Sequence, residues 1–466
     1  MVTDQGVAEQ MADPENSNYY SKLSHSAQAL LRILKQLQQK QTPNLFQPDP
    51  QVAELQKMVS TYKGSITTAT ERRLQRIIDR GGVSIITQDD LMGIIRSLWE
   101  SNISRMNVTE LKVLEGTLKE PEANISELAS GIKQSYSKTR RAVEHLRVTG
   151  ILKREGRLDA AQMGLDRLLI IMENPTGVLN SPYFTRFLFS DGAVPRVFIK
   201  GLIPSARRRD FMQTVRALRT VSDSTSVWAL SSGEPRFGRT SYYNPSRKGF
   251  EFDPLHFRLL LRNGGEELVV GSFSISQVQF PKRFNASDIK IIEQLIQDFD
   301  TTAQQLVERT GVSESTAFRR RQRIIGDQIV RPRPKIIIPS LSDHVVGIFS
   351  ADAASRIIDA WARLPVTYVS QVTNLEDTRQ KKIVFATALP TGAAPSLIDV
   401  LESEMSRVDD YQAHQIHSGT QAYLPVSALY DTKQKKWLFS ASYFDVRSYS
   451  SCRKEADRKN IPLDLA

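Results

Sequence analysis

NVTELKVLEGTLKEPEANISELASGIKQSYSKTRRAVEHLRVTGIL, residues 107–152, lies without a gap on NASDIKIIEQLIQDFDTTAQQLVERTGVSESTAFRRRQRIIGDQIV, residues 285–330, at a constant offset of 178. Eight pairs are identical: Asn107/Asn285, Lys112/Lys290, Glu115/Glu293, Leu128/Leu306, Ser135/Ser313, Ser137/Ser315, Arg141/Arg319 and Ile151/Ile329. The conservative pairs say more, because they fall where one packed unit needs apolar residues: Leu111/Ile289, Leu114/Ile292, Leu118/Ile296, Leu146/Ile324 and Leu152/Val330. A chain that repeats a unit of this kind takes its architecture from that unit.

Each copy reads as three short helices. Thr109 or Ser287 is expected to cap the first, with Glu110 or Asp288 next to it at the positive end of the helix dipole. Apolar residues three and four apart then form one buried stripe. A second helix covers 126–133 and 304–309, and a tight turn leads to Ser135 or Ser313, the expected cap of the third. Gly311 suits that turn, whereas Lys133 holds the same place in the first copy, where a left-handed backbone costs more.

The third helix concentrates the charge. Thr139, Val143 and Leu146 mark its inner side, leaving Lys138, Arg141, Glu144 and His145 opposite; in the second copy Ala317, Phe318, Ile324 and Ile325 are inner. A helix of this width fits the major groove of B-form DNA, where Arg and Lys donate to guanine edges and phosphates. The candidate DNA-facing residues are Tyr136, Ser137, Lys138, Arg140, Arg141 and His145, with Glu314, Ser315, Thr316, Arg319, Arg320 and Arg323. After the helices, Lys153, Arg154 and Arg157, or Arg331, Arg333 and Lys335, suit a short basic β-wing on the phosphate backbone. The competing reading is a solvated outer face on a small helical bundle.

These stretches resemble the winged helix-turn-helix transcription regulators of the Lrp/AsnC (leucine-responsive) family. The likeness rests on ISELASGIKQSYSKTRRAVEHLRVTGIL followed by KREGRLDAAQMGLDRLLIIME, and on TAQQLVERTGVSESTAFRRRQRIIGDQIV followed by RPRPKIIIPSLSDHVVGIFSA. Ser135, Leu146 and Gly150-Ile151-Leu152 match the family's capping Ser, inner Leu and wing start; Ser313 and Ile324 match too, but Gln328 replaces the Gly and Arg321 an apolar residue. The resemblance implies a sequence-specific regulator of transcription that binds double-stranded DNA and is not an enzyme. It also implies a small-molecule effector as candidate modulator, and a homo-oligomer or an intrachain pseudo-dimer as candidate assembly. Two alternatives stay open: a non-specific architectural DNA- or RNA-binding protein, and an enzyme, because a distant branch resembling this family has turned the fold toward tetrapyrrole decarboxylation.

The expected fold class is α+β, with two winged helix-turn-helix domains (105–160 and 285–335) alternating with two α/β ferredoxin-like βαββαβ sensor-type domains (161–284 and 336–466). In the last segment the patterns give strand 344–349, helix 353–364, strands 366–372 and 382–388, helix 394–405, and strands at 412–417 and 437–443. The earlier one is looser: strand 168–172, helix 181–189, strand 197–202, helix 206–218, and a hairpin of 257–261 with 267–273 turned by Asn263-Gly264-Gly265. Residues 1–104 form a polar tail and a helical region, with apolar stretches at 27–37, 52–58, 71–78 and 91–99.

Composition sets the remaining bounds. The 466 residues carry a net charge of +11, and the excess lies in 101–335, above all in 161–284 with 17 basic against 10 acidic residues. No apolar run nears the ~18 residues needed to cross a bilayer, and no secretory leader precedes the helices, so a cytoplasmic chain without a membrane partner is expected. The single Cys452 makes neither an internal disulfide nor a thiolate metal site. A phosphate loop, an H-E-x-x-H pair and a nucleophile elbow are all missing, so neither cofactor, metal nor catalytic residue is expected. His414 and His417 lack supporting ligands, and Arg207 to Arg209 with Asp210 read as a solvated helix face.

Overall fold

The computed structural model describes residues 19–41, 50–81, 84–231, 234–236, 242–263, 282–350, 355–405 and 411–459. It is mixed α/β and divides into two compact units, Met1–Met106 and Asn107–Ala466. No helix of the described residues is long and apolar enough to cross a membrane.

The first unit is helical: α1 (His25–Gln38), α2 (Pro50–Thr61), α3 (Ile66–Asp79) and α4 (Gln88–Ile103). Ser24, Ser65 and Thr87 each accept a backbone N–H as N-caps, and Thr87 with Asp90 closes a capping box. The four stripes meet in a core that includes Leu31, Leu34, Leu55, Leu74, Leu91 and Ile95.

The second unit begins with the first repeat, α5 (Val108–Lys119), α6 (Ile125–Gly131), α7 (Tyr136–Thr149) and strand β1 (Leu152–Leu158). Asn107, not Thr109, caps α5, because it can exchange hydrogen bonds with Glu110 three residues on. The second copy, α10 (Ala286–Gln297), α11 (Ala303–Thr310), α12 (Glu314–Gly326) and β7 (Val330–Ile336), repeats this with Asn285 and Asp288 in place of the expected Ser287 cap. Ser135 and Ser313 stand at the N-caps of α7 and α12, but their side chains make no capping bond. The turn geometry is nevertheless shared: Lys133 (φ 53) matches Gly311 (φ 69), and Gln328 (φ 56) matches Gly150 (φ 85). Tertiary packing thus holds a Lys and a Gln in the left-handed region that Gly enters at less cost. Ala317 and Ile324 are buried as expected, whereas Phe318 is 58% exposed.

The two copies join through their strands. β1 and β7 pair antiparallel, Leu152 opposite Ile336 and Leu158 opposite Val330, so that the central pair is Glu155 and Arg333, equivalent positions of the repeat. Asp159 N–H donates to Ile329 O and, symmetrically, Ile337 N–H donates to Ile151 O. A two-fold relation between the copies therefore passes through the Glu155/Arg333 pair. Gly156 is required here, since a Cβ would stand 2.3 Å from Leu295 O and 2.5 Å from Val330 Cγ1.

Below this ribbon lies one large antiparallel sheet. Its main strands are β2 (Leu165–Glu173), β4 (Phe184–Ser190), β5 (Arg196–Pro204), β6 (Ser224–Leu230), β8 (Asp343–Ser350), β9 (Val366–Asn374), β10 (Lys381–Leu389), β11 (Tyr411–Ile416) and β12 (Ser418–Gln421), with the short strand Glu234–Arg236 paired on β9. The order β11-β8-β10-β9-β6-β2-β5-β4-β12 splits into two halves of identical pattern, β11-β8-β10-β9 and β6-β2-β5-β4. β9 of one half pairs with β6 of the other. At the far edge β11 runs directly into β12, which pairs with β4, so the path closes on itself. Helices α8 (Arg208–Ala217), α13 (Ser355–Ala362) and α14 (Ala393–Met405) connect strands within the halves.

Several expectations for these segments are corrected. Residues 181–189 are not a helix: β3 (Gly177–Asn180) and β4 occupy the region, and β3 pairs with β13 (Asp445–Ser448) near the chain's end. The apolar spacing of Phe184, Phe187 and Leu188 suits either element, and pairing with β5 decides for a strand. Residues 257–261 are helical, within α9 (Pro254–Asn263), and bury Phe257 and Leu261; the proposed partner strand 267–273 and its Gly264-Gly265 turn lie outside the described residues. Residues 437–443 hold a two-residue strand and a 3-10 turn rather than one strand. The closing helix α15 (Tyr449–Lys459) carries Cys452 and Ala456 into the core around Phe189 and Phe444.

Candidate functional site

The residues expected to face DNA fall into distinct settings. Tyr136, Ser137, Lys138, Arg140 and Arg141 on α7, and Glu314, Ser315 and Arg319 on α12, are exposed, with Thr316 half-buried. His145, Arg320 and Arg323 are engaged inside their own units. His145 Nδ1 lies 2.9 Å from Glu110 Oε1, and Arg320 Nη1 and Arg323 Nη2 each lie 2.7 Å from Asp288 Oδ1. Glu110 and Asp288 are equivalent, as are His145 and Arg323, and both carboxylates are buried, so each repeat sets a third-helix nitrogen-bearing side chain against a first-helix acid. A buried carboxylate without such a partner would be costly.

The wings do not project. Lys153 is exposed, but Arg154 donates to Pro121 O at 2.8 Å, pairs with Asp300 at 3.2 Å and lies over Phe299, tying the first copy to the second. Arg331 sits 3.7 Å from Asp159, and Arg333 lies over the Tyr368 ring. The paired strands turn part of their charge toward the sheet.

Between the ribbon and the sheet lies a cleft with a volume of about 150 Å³. Cations enter it from both layers: Arg157 and Arg333 from the ribbon, Arg167 from β2, Arg186 from β4 and Lys200 from β5. Strand register explains the lower set, since Lys200 stands opposite Arg186 and Arg167 opposite Leu202, all on one face. Directly opposed like charges destabilise a sheet, so a folding role alone does not account for this pair. Glu155 is the one carboxylate among the lining residues, while Leu202, Leu230, Ile296 and Leu424 supply apolar wall.

Arg167 is the most strained charge. Although the residue keeps some contact with the cleft, its charge centre is deep in the protein, and Nη2 donates to Leu158 O. Burial first, and then the neighbouring Arg157 and Arg333 guanidiniums, push its pKa down to about 9, against the opposing pull of Asp159. Beside it a polar cluster built on the buried Glu155 and Lys335 spans the two copies: Glu155 Oε1 accepts from Tyr423 Oη at 2.8 Å and from Lys335 Nζ at 3.3 Å, and Lys335 Nζ also donates to Gln421 Oε1 at 2.8 Å.

Arg333 was legible as a cation of interest, though for another partner. Arg167, Arg186 and Lys200 were not, and their only trace was the basic excess of 161–284; Tyr368, Gln421 and Tyr423, beyond that segment, left none. His414 and His417 do not form a site: His414 packs on Phe198 with Nδ1 3.4 Å from Arg196 Nη1. Burial, and then Arg196, lower its pKa to about 4, and burial does the same to His344. Among the described residues no cluster of His, Cys, Asp and Glu could hold a metal ion.

Comparison with known proteins is sparse. No protein-family profile matches the chain, and no curated protein does. Two solved structures are similar over 68% of this chain: the siroheme decarboxylase NirDL, at 11% identity, TM-score 0.40 and 95% of its own length, and NirDL with an iron-uroporphyrin III analogue, at 12% identity, TM-score 0.38 and 94%. The neighbours are thus an enzyme and its complex with an iron-porphyrin analogue, not a regulator on DNA. The expectations of a transcription regulator, of a double-stranded DNA partner and of a protein without enzymatic activity are corrected accordingly.

Proposed function

We propose that this chain is an enzyme on an Lrp/AsnC-like fold that takes a carboxylate-rich ligand in the cleft between its paired strands and its sheet. In this reading each three-helix copy with its strand is a winged helix-turn-helix, the second four-strand half is of the βαββαβ ferredoxin type, the first keeps that strand order with β3 in place of its first helix, and the units divide near residues 105, 161, 285 and 336. The order of strands in the halves and the two-fold register of β1 and β7 support that reading.

One observation carries the functional part: five cations, with Arg167 crowded by Arg157 and Arg333, face a single carboxylate in a partly apolar cleft. A carboxylate bound there gains charge-assisted hydrogen bonds and relieves repulsion among guanidiniums. The apolar wall suits a ligand whose acids are carried on an apolar body; a carboxylated tetrapyrrole is such a molecule, and a cleft of about 150 Å³ takes its acid-bearing edge rather than the whole macrocycle.

Decarboxylation is the chemistry that fits. The carbon–carboxylate bond breaks, its electron pair stays on the carbon, carbon dioxide leaves, and the carbon takes up one proton, with no oxidant consumed. The arginines hold and orient the acids. Tyr423, held on Glu155 beside Lys335, is a proton-bearing group on the cleft wall suited to supply that proton.

The test is an absorption titration of the full chain with iron-uroporphyrin III, followed by mass spectrometry of the recovered macrocycle. Saturable binding is expected, weakened about ten- to a hundredfold by Arg333→Ala or Lys200→Ala, the range of one charged hydrogen bond, together with stepwise loss of carboxyl groups. Equal affinity in wild type and both variants would overturn the site, and an unchanged macrocycle would overturn the chemistry.

A further inference from the structure

Behind the cleft lies a second cavity of about 140 Å³, and the two share Arg157, Leu158, Arg167, Leu230 and Ser231. Arg157 and Arg167 thus stand at a waist between two lobes. The rear lobe has its own basic groups, Arg208 and Arg331, and two acids, Asp159 and Asp166.

The acids orient the rear arginines. Arg208 Nε donates to Asp166 Oδ2 at 2.7 Å, and Asp166 Oδ1 accepts from Ser205 Oγ at 2.9 Å, which fixes the carboxylate in turn. Arg331 Nη2 lies 3.7 Å from Asp159 Oδ2, whose other oxygen accepts from the Gln162 N–H at 3.0 Å. In Arg208 the acid engages the Nε edge, so the outer Nη groups are directed by a fixed partner without being consumed by it. Counting the shared pair, four guanidiniums face two carboxylates in the rear lobe, against five cations and one carboxylate in front. Both lobes favour an anion, the front one more strongly.

Resting on the reading of the cleft as an anion site, we propose that its ligand is at least a dianion that straddles the Arg157/Arg167 waist. One acid group is held in front by Arg333 and Lys200, the other behind by Arg208 and Arg331. A single carboxylate occupies the front lobe alone and leaves the rear arginines unused. The rear arginines form a second anchor apart from Arg333 and Lys200, so the rear subsite selects ligands by the number and spacing of their carboxylates. Linking two such contacts makes the second intramolecular, which raises affinity beyond that of either alone.

Calorimetric titration of the full chain at fixed ionic strength tests this, with benzoate and benzene-1,3-dicarboxylate as probes. The expected result is that the dicarboxylate binds at least about tenfold more tightly than benzoate. Arg208→Ala with Arg331→Ala should abolish that advantage while leaving benzoate affinity unchanged, which also shows that the variant is folded. Arg208→Lys, which keeps the charge but not the fork, should restore part of it. Equal affinity of the two probes in wild type, or a ratio unmoved by the double variant, overturns the two-lobed site alone. Failure of both probes to bind overturns the anion site itself and this inference with it.

Discussion

At the scale of single residues, Arg167 makes the cleft's affinity depend on pH. Its guanidinium is driven down to about 9, and only the protonated form attracts a carboxylate. Affinity should therefore hold up to about pH 8 and fall as pH rises through 9, with proton uptake on binding near that value, because a bound anion pulls the pKa back up. Titrations in buffers of different ionisation enthalpy measure that uptake; an affinity flat to pH 10 would mean that Arg167 does not contact the ligand. His344 and His414 give the opposite limb. Both are buried as neutral bases with pKa near 4 against an ordinary 6.5, so the unfolded chain takes protons that the fold refuses. Stability should be fully present above pH 6.5 and decline as pH falls toward 4, by on the order of 3 kcal/mol per histidine. Urea unfolding at pH 7 and pH 5 checks this, and His344→Gln should flatten the decline.

Among the elements, the paired strands β1 and β7 decide most. Gly156→Ala places a methyl against Leu295 O and Val330 Cγ1, and should cost about 1–3 kcal/mol, seen as a lower thermal midpoint. A midpoint within error of wild type would show that the ribbon yields more easily than its packing implies. The helices of both copies and the four before them were readable from apolar spacing, and strands such as 344–349 and 366–372 from short apolar runs that are buried on both faces. Their caps were misread because Thr109 and Ser287 are good capping residues locally, while the reciprocal bond to Glu110 or Asp288 is possible only from Asn107 or Asn285. The region 181–189 was misread because its apolar residues fit two periods, and only pairing with β5 and β12 separates them. The cleft was illegible for a further reason: its charges come from positions 155 to 333, on five strands, and no local pattern announces that they converge.

For the whole molecule, duplication within one chain removes a restriction that identical subunits impose. In a symmetric homodimer the residue on the two-fold axis faces its own copy. Here the equivalent positions hold Glu155 and Arg333, opposite charges, and the flanking Lys335 completes a polar cluster with Glu155 and Tyr423. The fused copies have thus diverged at the axis, and that divergence makes one face of the closed sheet into a single asymmetric cleft. A crystal structure of the chain with iron-uroporphyrin III tests this most directly. The account predicts the acid-bearing edge of the macrocycle between the paired strands and the sheet, with carboxylates on Arg167, Lys200 and Arg333. A ligand bound elsewhere, with no carboxylate within hydrogen-bond distance of those three residues, would contradict it.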